Sequence, residues 1–377
     1  SFVSRGLGDV YKRQDIYMSK FLKAFLFASI IIAPFAVSAV TVASWGGAYT
    51  ESQQKAYADT YSDPGSIVFE NYNGGLGEVR AQVESGSVTW DLVDVLPGDA
   101  ITGCDEGLFE DISSEIAANA SPGPDGESMA EDMENNGLEY HSGWDCCVPQ
   151  IFWTYVVFYD PDAFPGEKPS TIADFFDTEK FPGKRGVHTW ATGIIEKAMV
   201  ADGVDPQAVP TVLEKQTGAL DRAFAKLDTI KDDVVFWSAG SKPLELVKSG
   251  EVIMSIAYNG RVGAANLAEG ENFEYIWEGQ VLDQEYLCLT TGAPNREAAL
   301  DFMWHASTPE AQAEQAKYIT YGPMRASGIP IIVANEPWGP GGVNIMPHMP
   351  NTPERLAVSI VSDPQWWSDN GLSLIHI

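Results

Sequence analysis

Short apolar runs alternate with amphipathic stretches along most of the chain, which predicts strands followed by helices. Thr41–Ser44 reads as a strand that breaks at Trp45-Gly46-Gly47, and Tyr49–Tyr61 resumes with helical spacing. Ser66–Glu70 is a second strand, Asn73–Gly77 a loop, and Glu78–Gly86 a helix with a glycine stop. Trp90–Val95 is a third strand. Its end, Leu96-Pro97-Gly98-Asp99, is a loop leading into a helical stretch that reaches Cys104. Strands alternating with helices give an α/β unit with a largely parallel sheet.

After the surface loop Ser121–Gly126 the pattern repeats. Ile151–Tyr159 is a very apolar strand, and Thr171–Phe176 is a helix. A strand follows Lys184-Arg185-Gly186-Val187. Ile194–Ala201, Pro206–Thr217 and Leu220–Leu227 read as helices, and Val234–Trp237 as a short strand ending in the loop Ser238–Ser241. Pro243–Lys248 is helical, and Glu251–Tyr258 is a strand ending in Asn259-Gly260-Arg261. Tyr286–Thr290 is a further strand, with helices at Arg296–His305 and Pro309–Ala316. Two α/β units with chain crossings near 148 and 284 describe two lobes joined by a hinge. Lobe 1 is expected to hold 40–148 and 284–325, lobe 2 149–283 and 326–377. A cleft between such units is a common ligand location.

The N-terminal region is expected to lie outside the fold. Residues 18–39 have a basic start, an apolar run at Ala24–Ala33 and small residues at Val37-Ser38-Ala39, the features of a cleavable secretory signal. Residues 1–17 precede Met18 and read as a non-native leader, and 372–377 as a non-native tail. The expected destination is the periplasm. A net charge of −30 on 377 residues makes nucleic acid and anionic membrane poor partners. At 45% hydrophobic residues a packed core is assured.

Four cysteines, Cys104, Cys146, Cys147 and Cys288, in an exported chain favour a disulfide. Adjacent cysteines are poorly placed to bridge each other, so either Cys146 or Cys147 is expected to pair with Cys104. A zinc site built from that pair and His141 lacks a second ligand pair at the right spacing. No metal and no cofactor are expected.

Catalytic signatures such as HExxH, a P-loop or Gly-x-Ser-x-Gly are absent from the sequence. His188 and Cys147 are the only candidates for a base or nucleophile, and neither has an evident partner, so an exported enzyme is the lesser reading. What recurs is aromatic residues at strand ends: Trp45 and Tyr49, Trp190, Trp237, Tyr258 and Tyr321. Three acids accompany them, Asp99, Asp283 and Glu285. Aromatic faces with carboxylates suit an ammonium ligand, through cation–π attraction and charge pairing.

The runs SWGGAYTESQQKAY, NYNGGLGEVRAQVESGSVTWDLVDV and CDEGLFEDI resemble the first lobe of periplasmic solute-binding proteins of the polyamine (spermidine/putrescine) type. VVFWSAGSKPLELVKSGEVIMSIAYNGRV and GAPNREAALDFMWHASTPEAQAEQAKYITYGP continue the likeness, which covers roughly Val40 to Gly371. The resemblance implies an α/β, two-lobed, type II Venus-flytrap fold. Each lobe would be a mixed, mostly parallel sheet flanked by helices, with two hinge crossovers. It also implies a monomer that hands its ligand to the permease and ATPase of an ABC importer.

In that family an aromatic pair after the first strand holds the ligand, and Trp45 and Tyr49 match it. Trp237 matches the second-lobe aromatic, Glu285 an amine-gripping acid and Tyr321 a pocket tyrosine. The family pattern also favours Cys146 as the partner of Cys104. Two departures stand out. His188–Gly193 carries no carboxylate where polyamine binders have an acidic pair. Arg261 puts a cation near the cleft, able to grip a carboxylate bidentately. The main expectation is a cationic amine; the alternative is an amino-acid-like or opine-like zwitterion held by Arg261.

Overall fold

The computed structural model describes residues 39–370. The expected leader, all of the signal segment but Ala39, and the tail lie outside the described residues. No helix among the described residues is long and apolar enough to cross a membrane.

Ten strands form one mixed sheet: β1 Val40–Ser44, β2 Ile67–Asn71, β3 Leu92–Val95, β4 Cys147–Tyr159, β5 Arg185–His188, β6 Val234–Trp237, β7 Met254–Tyr258, β8 Glu274–Leu289, β9 Gly322–Pro323 and β10 Ile360–Val361. The main path runs β2-β1-β3-β8-β4-β7-β5-β6, with β10 beside β8 and β9 beside β4. At one end β1 pairs in parallel with β2 and β3; at the other β5 pairs in parallel with β6 and β7. Between them, β4 and β8 run antiparallel to each other from Cys147↔Cys288 to Tyr159↔Glu274. All 13 residues of β4 are buried, which is why its sequence, apart from Gln150 and Thr154, is apolar rather than alternating.

These two long strands serve two cores. One gathers β1, β3, the start of β4, Tyr286–Leu289 and the helix Arg296–Ala306. The other gathers β4 from Ile151 onward, β7, and the helices Ile172–Phe176 and Ile194–Ala201. Trp45 packs against both. The chain therefore has the two-lobed architecture, with β4 and β8 as its crossovers.

The ladder between β4 and β8 is interrupted where they cross. Pro149 faces Tyr286 and Phe152 faces Gln284, so Gln150 and Ile151 together oppose Glu285. Two residues against one is a β-bulge, which re-aims side chains.

Several sequence expectations change. The helix after β1 spans Gly47–Gln53 and widens into a π-helical turn at Gln54–Ala58. The strand expected at 286–290 is only the end of the 16-residue β8. Asn259–Arg261, read from the sequence as the end of a strand, is the first turn of the helix Asn259–Ala264. Asn259 fixes it: its amide donates to Thr320 O at 2.6 Å and accepts from Thr154 N at 3.0 Å.

Both adjacent cysteines are bridged. Cys104 pairs with Cys146, and Cys147 pairs with Cys288. The second bridge goes beyond the sequence expectation; it joins directly opposed residues of β4 and β8. Cys147 is therefore no nucleophile.

Candidate functional site

A cavity of about 580 Å³ lies where β4 and β8 cross, and the ends of β1, β5 and β7 converge on it. The turn after β1 supplies one wall. Gly46 and Gly47 take φ of 72° and 57°, which side-chain-bearing residues rarely adopt. Beneath the turn runs a chain of hydrogen bonds. Gly46 N donates to Thr50 Oγ1, Thr50 to Ser44 Oγ, Ser44 to Gln53 Oε1, and the Gln53 amide to the Asp94 carboxylate. Trp45 projects over the cavity, its ring centroid 5.0 Å from that of Tyr72. It also lies tightly over Gly74, where a Cβ would come within 2.6 Å of the indole.

Glu285 stands at the bulge. Trp45 Nε1 donates to its Oε1 at 2.7 Å. Burial pushes the Glu285 carboxyl well above the usual carboxylate range, and Asp94, Asp283 and Asp99 push it further; the Trp45 bond offsets part of this. Asp94 itself is raised to about 7 by burial. A buried acid of this kind is short of positive charge, and a ligand ammonium group would supply it.

Arg261 contributes the opposite charge from the helix after β7. Its guanidinium lies 6.0 Å from the Tyr258 ring centroid. Among the described residues it has no carboxylate within 4.0 Å and no side-chain hydrogen bond, although it faces the cavity. Burial raises the Tyr258 and Tyr321 hydroxyls; Arg261 offsets part of this and Glu285 adds to it. The two groups thus act on the same small volume.

Aromatic faces complete the wall. Trp153 lies 5.3 Å from Tyr258, and Tyr49 lies 6.1 Å from Tyr321. His188 accepts a hydrogen bond at Nδ1 from Trp190 N at 2.8 Å, so its own proton rides on Nε2. Burial holds its pKa down at about 4, and it enters the site as a neutral ring.

Seven of the ten sequence candidates line the cavity: Trp45, Tyr49, Trp190, Tyr258, Arg261, Glu285 and Tyr321. Three do not. Trp237 is 2% exposed and packs behind His188, with centroids 4.3 Å apart. Asp283 is buried, accepts from Gln284 N at 2.9 Å and is raised to about 7. Asp99 lies in the first turn of the helix Pro97–Asp105, where a carboxylate complements the helix dipole; burial raises it to about 6. These acids shape the field at Glu285 from outside the cavity.

Tyr72, Asn73, Trp153 and the Ser238–Ser241 loop are wall residues that the sequence reading does not single out. Tyr72 and Asn73 follow β2 within the same glycine-rich run that carries Gly74, which is the available signal. Trp153 sits in a uniformly apolar strand and carries none. No group of His, Cys, Asp and Glu among the described residues could hold a metal ion.

A family model described as bacterial extracellular solute-binding protein matches residues 55–334. The gamma-aminobutyric acid-binding protein of Pseudomonas aeruginosa is 33% identical over 337 residues, covering 89% of this chain and 88% of its own. The solved structure of MotA from A. tumefaciens B6 in complex with glucopine is 28% identical, with TM-score 0.73, and covers 89% of this chain and 97% of that one. The spermidine/putrescine substrate-binding protein PotD of Streptococcus pneumoniae covers 89% of this chain and 98% of its own at 15% identity and TM-score 0.60, a likeness of fold alone.

Proposed function

Because this chain belongs to the bacterial extracellular solute-binding proteins, we propose that it captures a small amino-acid-like zwitterion between its lobes and delivers it to the permease and ATPase of an ABC importer. The observation that carries this reading is the guanidinium of Arg261, unpaired among the described residues, on the same cavity as the buried Glu285. The ligand carboxylate pairs with Arg261, its ammonium group with Glu285, and its methylenes lie against Trp45, Tyr49 and Tyr321. A relative named for gamma-aminobutyric acid and a similar structure in complex with glucopine support this over the polyamine first expected from the sequence. A polyamine would have to place a second cation against Arg261, with no carboxylate on the His188–Gly193 side to offset it.

In this reading 40–148 with 284–325 forms one lobe and 149–283 with 326–370 the other. The protein works as a monomer in the periplasm. Closure about β4 and β8 excludes water and strengthens both charge contacts. Binding rather than turnover is the role assigned to it.

Calorimetry with 4-aminobutyrate, glucopine, putrescine and spermidine tests the assignment. A zwitterion at 100 times its Kd should add about 2.7 kcal/mol of stability. Tighter binding of putrescine or spermidine than of either zwitterion would overturn the reading, and turnover of a bound compound would favour an enzyme instead.

A further inference from the structure

We infer that Gly240 is a positioning residue for ligand specificity: its missing side chain leaves the slot in which the Arg261 guanidinium lies. The inference rests on the reading of Arg261 as the carboxylate anchor. Gly240 belongs to the loop after β6, Arg261 to the helix after β7. A Cβ on Gly240 would come within 2.7 Å of Arg261 Nε, 3.0 Å of Cζ and 3.2 Å of Cδ. From the other side, a Cβ on Gly47 would stand 3.1 Å from Arg261 Nη1. The guanidinium is thus held between two bare backbones, one following β1 and one following β6.

The two glycines are there for different reasons. Gly47 has φ of 57°, a left-handed conformation that by itself selects glycine. Gly240 has no such positive φ, so no left-handed backbone conformation selects glycine there. The three nearest heavy atoms to its absent Cβ all belong to Arg261. What a side chain at 240 would disturb is therefore the cation. Arg261 is long and free-ended, so it would swing aside at little cost to the fold, and the carboxylate would lose its partner. A methyl group at 240 should act on affinity and leave stability alone.

The test is a double-mutant cycle read by calorimetry with 4-aminobutyrate, on wild type, Gly240→Ala, Arg261→Ala and the double variant. The expected result is a loss of tenfold or more when Gly240→Ala is made beside the native Arg261. The same change made in the Arg261→Ala background should cost less than twofold. Equal losses in both backgrounds, or none in the first, overturn the inference. A second readout needs no ligand. The Arg261 Nε–Hε resonance, identified by its loss in Arg261→Ala, should shift in Gly240→Ala while the melting temperature stays put. An unmoved resonance overturns the inference whichever compound binds. A wild-type protein that ignores 4-aminobutyrate and glucopine overturns instead the reading of the ligand, and the resonance still decides what Gly240 does.

Discussion

The indole N–H of Trp45 reaches the carboxylate of Glu285 at 2.7 Å, joining the end of the first strand to a residue 240 positions later. The contact couples the turn that closes one wall to the strand that crosses between the two cores. It engages one carboxylate oxygen, so the acid assigned to the ammonium group in the proposed function is already oriented.

Replacing Trp45 by Phe keeps a ring over Tyr72 and Gly74 but deletes that donor. Leaving a buried acceptor unsatisfied costs about 1–3 kcal/mol, so affinity should fall roughly tenfold or more. Trp45→Ala, which also removes the face offered to the ligand, should cost more still. Calorimetry beside a circular-dichroism check of folding measures both. Unchanged affinity in Trp45→Ala would remove this residue from the site.

Glu285 makes binding depend on pH. Its carboxyl is raised by burial above the ordinary range, so at any pH below that raised pKa the free protein holds a proton there, which the proposed ammonium group displaces. Binding therefore releases a proton, and affinity rises with pH by up to tenfold per unit, about 1.4 kcal/mol, until Glu285 ionises unaided. Titrations in buffers of different ionisation enthalpy measure the released proton, and Glu285→Gln should abolish the slope. Affinity that falls as pH rises would contradict the assignment.

Arg261→Ala should separate ligand classes. Losing the partner of a carboxylate in a closed site costs about 2 kcal/mol or more, roughly thirtyfold, for 4-aminobutyrate. Putrescine, freed from an opposing cation, should bind the variant better than wild type. Competition titrations give both numbers, and parallel losses for the two compounds would show that Arg261 meets no carboxylate.

The Cys147–Cys288 bridge closes a sequence separation of 141 residues. Replacing both cysteines by serine should cost about 2–4 kcal/mol of stability and lower the melting temperature, while affinity holds. Melting curves with and without ligand measure it. A variant that melts like wild type but no longer binds would place the bridge in the site's function instead.

Much of the fold is legible because burial writes itself into the sequence. The apolar run Ile151–Tyr159, interrupted only by Thr154, announces a strand buried on both faces, and Trp45-Gly46-Gly47 announces a strand end with room beside it. The bulge opposite Glu285 is not legible, since it is a mismatch between two strands more than 100 residues apart and neither pattern contains it alone. Trp237 defeats the pattern for a related reason. It stands at the end of β6, as its spacing implies, but His188 on the neighbouring strand packs against it and takes the place on the cavity wall. Asp99 reads as a loop residue; the helix starts at Pro97 and draws it into the first turn. Cys288 gives no cue to its partner, because only the register of β4 against β8 brings it opposite Cys147.

That β4 and β8 are shared between two cores has a consequence for the order in which the chain can be completed. The core built on β1 and β3 also needs Tyr286–Leu289 and Met324, so a growing polypeptide that has reached residue 283 cannot yet close it. The core around the first strands therefore lacks part of its packing until residues near the far end are made. In the proposed periplasmic role that delay is an asset: a polypeptide threaded through a membrane pore passes most easily before its first core is closed.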